Sequence, residues 1–338
     1  MKKYLSLLLI LALLFSFALA EGNSDFLVEP ETPVPAKIHE APAPTKEPPM
    51  LVDKTQKGQK TNVQFMLDAK LLHIWFPIIQ NADEAVLLYD GEVWLIDCGT
   101  DKMAANGVDL MNRLGITKID KLFNSHIHPD HLDGLQVTNE VFPVKELLIS
   151  ETFLRFKKPY NETTEKALAY CETAGIPITQ FGDGAVFAMG DGGVTLTFWV
   201  NDFDGKTNHL NDASAITMVQ FGDRRILFMA DMDKTGQDTF LRRKPNEDIH
   251  AEIVKYPHHG KHALFDKFYE KLKPSLAIVT NKDLGKEGDK WGVVPYMIRS
   301  KKIPVIYTGA NEQYIHLVTD GHTWLVEYVK PDEVTSIQ

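Results

Sequence analysis

Three histidines and a carboxylate crowd into one short stretch: His126, His128, Asp130 and His131, within Ser125–Gly134. That is more ligand chemistry than a packed core can satisfy. On a tight turn, such side chains can converge imidazole nitrogens and carboxylate oxygens on divalent cations. The loop therefore reads as a metal site and not as a solvated polar turn. Three further stretches carry the same kind of groups: Asp97-Cys98-Gly99, Asp231, and Pro257-His258-His259-Gly260.

Such groups are useful only if secondary structure delivers them to one place. Ala85–Tyr89 and Glu92–Asp97 alternate around Asp90-Gly91, a hairpin turn signal. Ala215–Phe221 and Arg224–Met229 repeat the form around Gly222-Asp223, and each hairpin runs into an aspartate, Asp97 or Asp231. Helical spacing predicts helices over Asp101–Leu114 (ending at Gly115), Thr163–Ala174, Lys234–Leu241, Leu264–Leu272 and Val293–Ser300. Further strands are expected at Val63–Asp68, Lys121–Asn124, Thr195–Val200, Glu252–Tyr256, Leu276–Thr280, Val305–Tyr307, Tyr314–Val318 and Thr323–Tyr328. Two β-rich halves interleaved with helices predict an α/β fold. Its two mixed sheets lie face to face with helices outside, and the functional groups sit on loops at one edge.

With these motifs at strand ends, the chain resembles the metallo-β-lactamase-fold hydrolases from Val63 to Tyr328. It is most similar to the branch found as the C-terminal domain of DNA-uptake competence (ComEC) proteins and in secreted phosphodiesterases of the phosphorylcholine-esterase kind. The resemblance implies a four-layer αββα sandwich and two divalent metals, zinc first, with manganese or iron as alternatives. It implies that His126, His128 and Asp231 hold one metal. Asp130, His131 and His258, with Asp231 shared, would hold the other. Asp97 would orient a ligand histidine. Asp130 and His259 would be the catalytic groups, His259 as an acid facing substrate, because adjacent side chains rarely point the same way. Many relatives carry a further histidine in a third motif. Here that region reads Asn208–Ser214, with Asn211, Asp212 and Ser214 matching the competence-type form, so Asn211, Asp212, a water or His209 fills the place. Ala230 stands where many relatives have glycine.

The chain's beginning has a different character. Lys2 and Lys3 precede an apolar run, Tyr4–Ala20, that closes on Ala18-Leu19-Ala20, which reads as a secretory signal over residues 1–20 with Glu21 as the new N-terminus. Seven of the 18 prolines, from Pro30 to Pro49, lie in residues 21–60, an expected extended linker. Residues 61–330 form the expected hydrolase domain and 331–338 a tail. The expected location is secreted or extracytoplasmic, with membrane contact only through an uncleaved signal.

The net charge is −10, or −12 once Lys2 and Lys3 are removed, and no dense basic run offsets it. Tight non-specific nucleic-acid binding is disfavoured. Cys98 and Cys171 are the only cysteines, read as unpaired thiols.

Two divalent cations set against Asp130 and Asp231 leave roughly +2 at the site, which draws in an anionic ester. A cation pair can lower the pKa of bound water to supply a hydroxide nucleophile, and can clamp entering and leaving oxygens of an in-line displacement. Phosphodiester hydrolysis is the first expectation, on nucleic acid or a cell-wall phosphodiester. Two alternatives stay open: hydrolysis of a lactone, amide or thioester on the same fold, and a non-catalytic surface domain that binds polymer around structural metals.

Overall fold

The computed structural model describes residues 51–53, 70–202, 210–282 and 293–336. The signal segment, most of the linker, the strand expected at Val63–Asp68, and His209 lie outside the described residues.

In chain order the first strands are β1 (Leu51–Asp53), β2 (Leu72–Phe76), β3 (Glu84–Tyr89), β4 (Glu92–Cys98), β5 (Lys121–Asn124), β6 (Leu147–Ser150), β7 (Ile178–Phe181) and β8 (Ala185–Met189). Then come β9 (Val194–Val200), β10 (Ala215–Phe221), β11 (Arg224–Phe228), β12 (Ile253–Lys255), β13 (Leu276–Val279), β14 (Val305–Tyr307), β15 (Tyr314–Thr319) and β16 (Trp324–Val329). They form a nine-stranded sheet, β1-β16-β15-β2-β3-β4-β5-β6-β7, and a seven-stranded one, β14-β13-β12-β11-β10-β9-β8. The α-helices are α1 (Asp101–Leu114), α2 (Pro129–Leu132), α3 (Leu135–Val141), α4 (Glu162–Ala174), α5 (Lys234–Arg243) and α6 (Asp266–Leu272), and the helix expected at Val293–Ser300 is a π-helix over Val294–Ser300.

Strand alternation builds the layers. In β3, Ala85, Leu87 and Tyr89 enter the core between the sheets, with Phe198 and Ile226 of the other sheet. Val86 and Leu88 point the other way, onto Leu110, Met111 and Leu114 of α1 and Ala167 and Cys171 of α4. In the second sheet, Ala215 and Val219 of β10 face inward, while Ile216 and Met218 pack with Phe240 of α5 and Phe268 of α6. The expected αββα sandwich is therefore observed. Each helix covers a sheet face that would otherwise leave its apolar side chains in water.

The helix α1 shows how local signals set an element. Thr100 caps its start by accepting a hydrogen bond from the Met103 amide at 3.1 Å. Ala104, Gly107, Leu110, Met111 and Leu114 form its buried stripe, and Gly115 ends it at φ 77°.

Several elements depart from the pattern reading. β2, β6, β7 and β8 are absent from it because short apolar runs such as Leu147–Ile149 have no period to separate strand from helix. Leu51–Asp53 falls inside the expected linker yet pairs in parallel with β16, satisfying backbone groups along its edge. The expected tail also folds back, with Pro331–Glu333 forming a 3₁₀ turn and Ser336 Oγ donating to the Leu114 carbonyl at 3.3 Å.

Both sheets contain a parallel run, β4-β5-β6 in one and β11-β12-β13 in the other. The carboxyl ends of these runs deliver Asp97, Ser125, Asp231, His258 and Thr280 to a single edge of the sandwich.

Candidate metal centre

β5 leads into Asn124 and Ser125, both fully buried, and the chain then turns through the histidine loop. The Ala215 amide donates to the Ser125 carbonyl at 2.8 Å, tying this loop to the start of β10 in the opposite sheet. Pro129 opens the short helix α2, where its missing N–H costs nothing, and Asp130 and His131 follow in the first turn. Asp231 arrives after β11 by way of Ala230, which is left-handed at φ 44°. The His258 amide donates to the Ala230 carbonyl at 2.9 Å, so the two loops of the second sheet are fastened to one another.

The side chains gather in two groups that share Asp231. Ligand atoms of Asp130, His131, Asp231 and His259 lie within 4.8 Å of one another, and so do those of His126, His128 and Asp231. Asp231 Oδ1 stands 3.2 Å from His131 Nε2 and 3.4 Å from His259 Nε2, and Asp130 Oδ2 lies 3.2 Å from His259 Nε2.

Three of the four imidazoles in these groups are turned the same way. His131 Nδ1 donates to Asp97 Oδ2 at 2.8 Å. His126 Nδ1 meets Ser214 Oγ at 3.1 Å, and that same oxygen accepts the Asp231 amide at 3.3 Å. His259 Nδ1 lies 3.0 Å from Thr280 Oγ1 and 3.1 Å from Asp83 Oδ1. With Nδ1 engaged, each ring presents Nε2 to the centre, the arrangement found around bound metals.

The fit of this set to metal rests on its unsatisfied atoms. His126 Nε2, His131 Nε2 and both Asp231 oxygens are buried without a hydrogen-bond partner. Buried polar atoms are expensive to leave unpaired, and a cation between them removes that cost. The residues present therefore suit two divalent cations.

Electrostatics divide the histidines. Burial, reinforced by His131, holds His126 well below the usual imidazole range. Burial also opposes charge on His131, but Asp231 and Asp97 override it and raise its pKa well above normal. Burial would raise Asp231, yet His259 and His131 hold it far below the ordinary carboxylate range.

One sequence expectation is corrected. The sequence places His258 at the second metal and His259 on the substrate side, whereas in the structure it is His259 that groups with Asp130, His131 and Asp231. Both residues are left-handed, at φ 51°, ψ 48° and φ 51°, ψ 29°. That double turn swings His259 fully into the interior, where it joins Asp130 and His131. Two such non-glycine residues cost about 1–3 kcal/mol each, the kind of strain retained at functional sites. His258 instead stays at the mouth, with Asp233 and His262.

Cys98 and Cys171 are unpaired and buried, as expected. The Cys98 thiol faces the His131 and Leu132 carbonyls at 3.6 Å and belongs to neither ligand group.

Sequence reasoning missed several supporting residues. Lys255, inside a buried strand, pairs with Asp83, and Asp83 in turn accepts from Thr280. A lysine in an apolar strand was the available signal, since a buried charge requires a partner. Asp83, Asp97 and His131 also cluster, but with Asp83 held by Lys255 and Asp97 by His131 Nδ1, this group braces the centre.

The sequence profile of the metallo-beta-lactamase superfamily matches residues 84–279, more than half of the chain, and the chain belongs to that superfamily. Its members are generally metal-dependent hydrolases that bind two divalent metals. No curated protein matches the sequence. Among solved structures the chain is similar to CmlA, a diiron β-hydroxylase from Streptomyces venezuelae, at 13% identity and a TM-score of 0.42, covering 67% of this chain and 46% of that one. It is also similar to the metallo-β-lactamase SMB-1 bound to 2-mercaptoethanesulfonate, at 12% identity and a TM-score of 0.39, covering 54% of this chain and 79% of that one. A third, a Cronobacter sakazakii metallo-β-lactamase with a HARLDQ motif, shows 16% identity and a TM-score of 0.34, covering 51% of this chain and 65% of that one. The chain thus spans under half the length of the hydroxylase, and likenesses this distant carry no argument about the site.

Proposed function

We propose that this protein is an exported phosphodiesterase that works with two divalent metals, zinc first, held by His126, His128 and Asp231 and by Asp130, His131, Asp231 and His259. The observation that carries this reading is the sharing of Asp231 between two ligand groups that contain only one other carboxylate, Asp130. Two cations there would exceed their directly bound carboxylates by about two charges. Bound in that place, they would supply an ionised water nucleophile and would stabilise charge that accumulates on phosphoryl oxygens.

The chain's own residues do the positioning. Asp97, Ser214 and Thr280 hold the imidazoles so that Nε2 faces inward. The open side is set by Asp130 and His258, whose side chains are 25% and 17% exposed, while His131, His259 and Asp231 sit behind them. An anionic ester approaches from that side. The resemblance to the competence-type and phosphorylcholine-esterase branch, with Asn211, Asp212 and Ser214 in the third motif, supports a phosphodiester substrate such as nucleic acid or a wall polymer. The signal-like Met1–Ala20 supports action outside the cytoplasm, and no described helix is long and apolar enough to cross a membrane.

The test is turnover by zinc- or manganese-loaded protein. Bis-p-nitrophenyl phosphate should be hydrolysed, with activity lost on chelation, and nitrocefin and simple lactones should not. Cleavage of nitrocefin or a lactone with the phosphodiester untouched would replace this reading by the acyl-hydrolase alternative. No turnover of any of them by protein carrying both metals would favour the binding-domain reading.

A further inference from the structure

The two ligand groups are unequal. The second contains four residues, whereas the first contains three, His126, His128 and Asp231. Asp212, in the third motif, cannot make up the difference, because its Oδ1 accepts the Gly236 amide at 2.6 Å and so is turned towards α5.

We propose that His258, braced by Asp233 and Asn211, supplies the missing imidazole of the first cation site. The inference rests on the two-cation reading of the centre and not on the identity of the substrate.

Three observations support it. First, the oxygens of Asp231 are divided. Oδ1 faces His131 and His259, while Oδ2 faces His258 Nε2 at 3.6 Å. That separation is too long for a hydrogen bond. It does suit two ligands of one tetrahedral cation, which lie about 3.4 Å apart when each bond is about 2.1 Å. Second, His258 is braced as the other ligand rings are. Its Nδ1–H donates to Asp233 Oδ1 at 3.3 Å, and Asn211 Nδ2 in turn donates to Asp233 Oδ2 at 3.3 Å. The third motif thus supports the imidazole without coordinating the cation. Third, the successive left-handed residues splay the two rings, whose planes are 81° apart and whose centroids are 5.9 Å apart, so neighbouring histidines can serve neighbouring cations.

His258 stands outside the 4.8 Å grouping of His126, His128 and Asp231, so a bound cation would have to draw the ring inward. A competing arrangement would use Asp233, His258 and His262 as a separate site, since their ligand atoms also lie within 4.8 Å.

Zinc content separates the two. The full chain is loaded with zinc and gel-filtered, its metal is counted, and release to a chromogenic chelator is timed. Wild type should hold two equivalents. His258→Ala should hold one, and His262→Ala two. Asp233→Asn should release one of its two zincs at least tenfold faster than wild type, consistent with the usual effect of removing a ligand-orienting partner. Because position 258 is left-handed, His258→Asn serves as a second variant that tolerates that backbone but is too short to reach, and it too should hold one equivalent. Two equivalents with wild-type release in either His258 variant would overturn the proposal, as would loss of an equivalent in His262→Ala. A protein that holds two zincs, loses one on His258 substitution, and still fails to cleave any phosphodiester would leave this assignment standing and remove the functional one.

Discussion

Asp97 and His131 are locked together in the interior, with Oδ2 accepting Nδ1–H at 2.8 Å while Oδ1 accepts the Ser125 amide at 2.8 Å. The carboxylate is thereby fixed at both oxygens, and the imidazole can present only Nε2, which stands 3.2 Å from Asp231 Oδ1. Asp97→Asn can donate to Nδ1 and so invert the tautomer. Zinc affinity at the second site should fall about 10–100-fold, measured by competitive chelation. Unaltered affinity would mean that packing alone orients the ring.

His259, grouped with Asp130, His131 and Asp231, is the second test. His259→Ala should retain one zinc equivalent and lose the other, and His128→Ala should do the same by emptying the opposite site. Their circular dichroism should match wild type, because the core between the sheets contains none of these residues. Retention of both zincs by His259→Ala would return it to the substrate-facing role.

Glu84 is a buried carboxyl with neither oxygen hydrogen-bonded. Burial, with Asp97 adding to it, pushes its pKa up to about 8. The folded state then keeps a proton that the unfolded chain releases above its ordinary pKa of about 4.5. This group therefore erodes stability as pH rises from there to about 8, and the loss is constant at higher pH. Glu84→Gln should gain about 3 kcal/mol at pH 7 and little at pH 4.5, compared by urea unfolding. An equal effect at both pH values would show that Glu84 does not titrate in this range.

Gly107 lies in the middle of α1, where alanine would ordinarily be better by about 1 kcal/mol. A β-carbon there would run into the Glu84 carboxylate. Gly107→Ala should therefore destabilise by about 1–2 kcal/mol, overpacking outweighing propensity. Combined with Glu84→Ala it should cost far less than the sum, and strict additivity in that double-mutant cycle would disprove the clash.

Much of this protein was readable from residues alone because the relevant forces are local. The hairpins around Asp90-Gly91 and Gly222-Asp223 follow from alternation and turn chemistry, and α1 from its helical spacing and stop at Gly115. The gathering of His126, His128, Asp130 and His131 at one place follows from density, since no core satisfies so many polar groups together. What needed the tertiary structure was direction and partnership. Whether His258 or His259 enters the centre depends on two left-handed residues, which no side-chain pattern announces. Asp83, Lys255 and Thr280 meet only because β12 and β13 bring their ends beside the loop before β3, and Ser214 reaches His126 only because the two sheets face each other. Such pairings join residues far apart in the chain, and their energy exists only once both strands are in place.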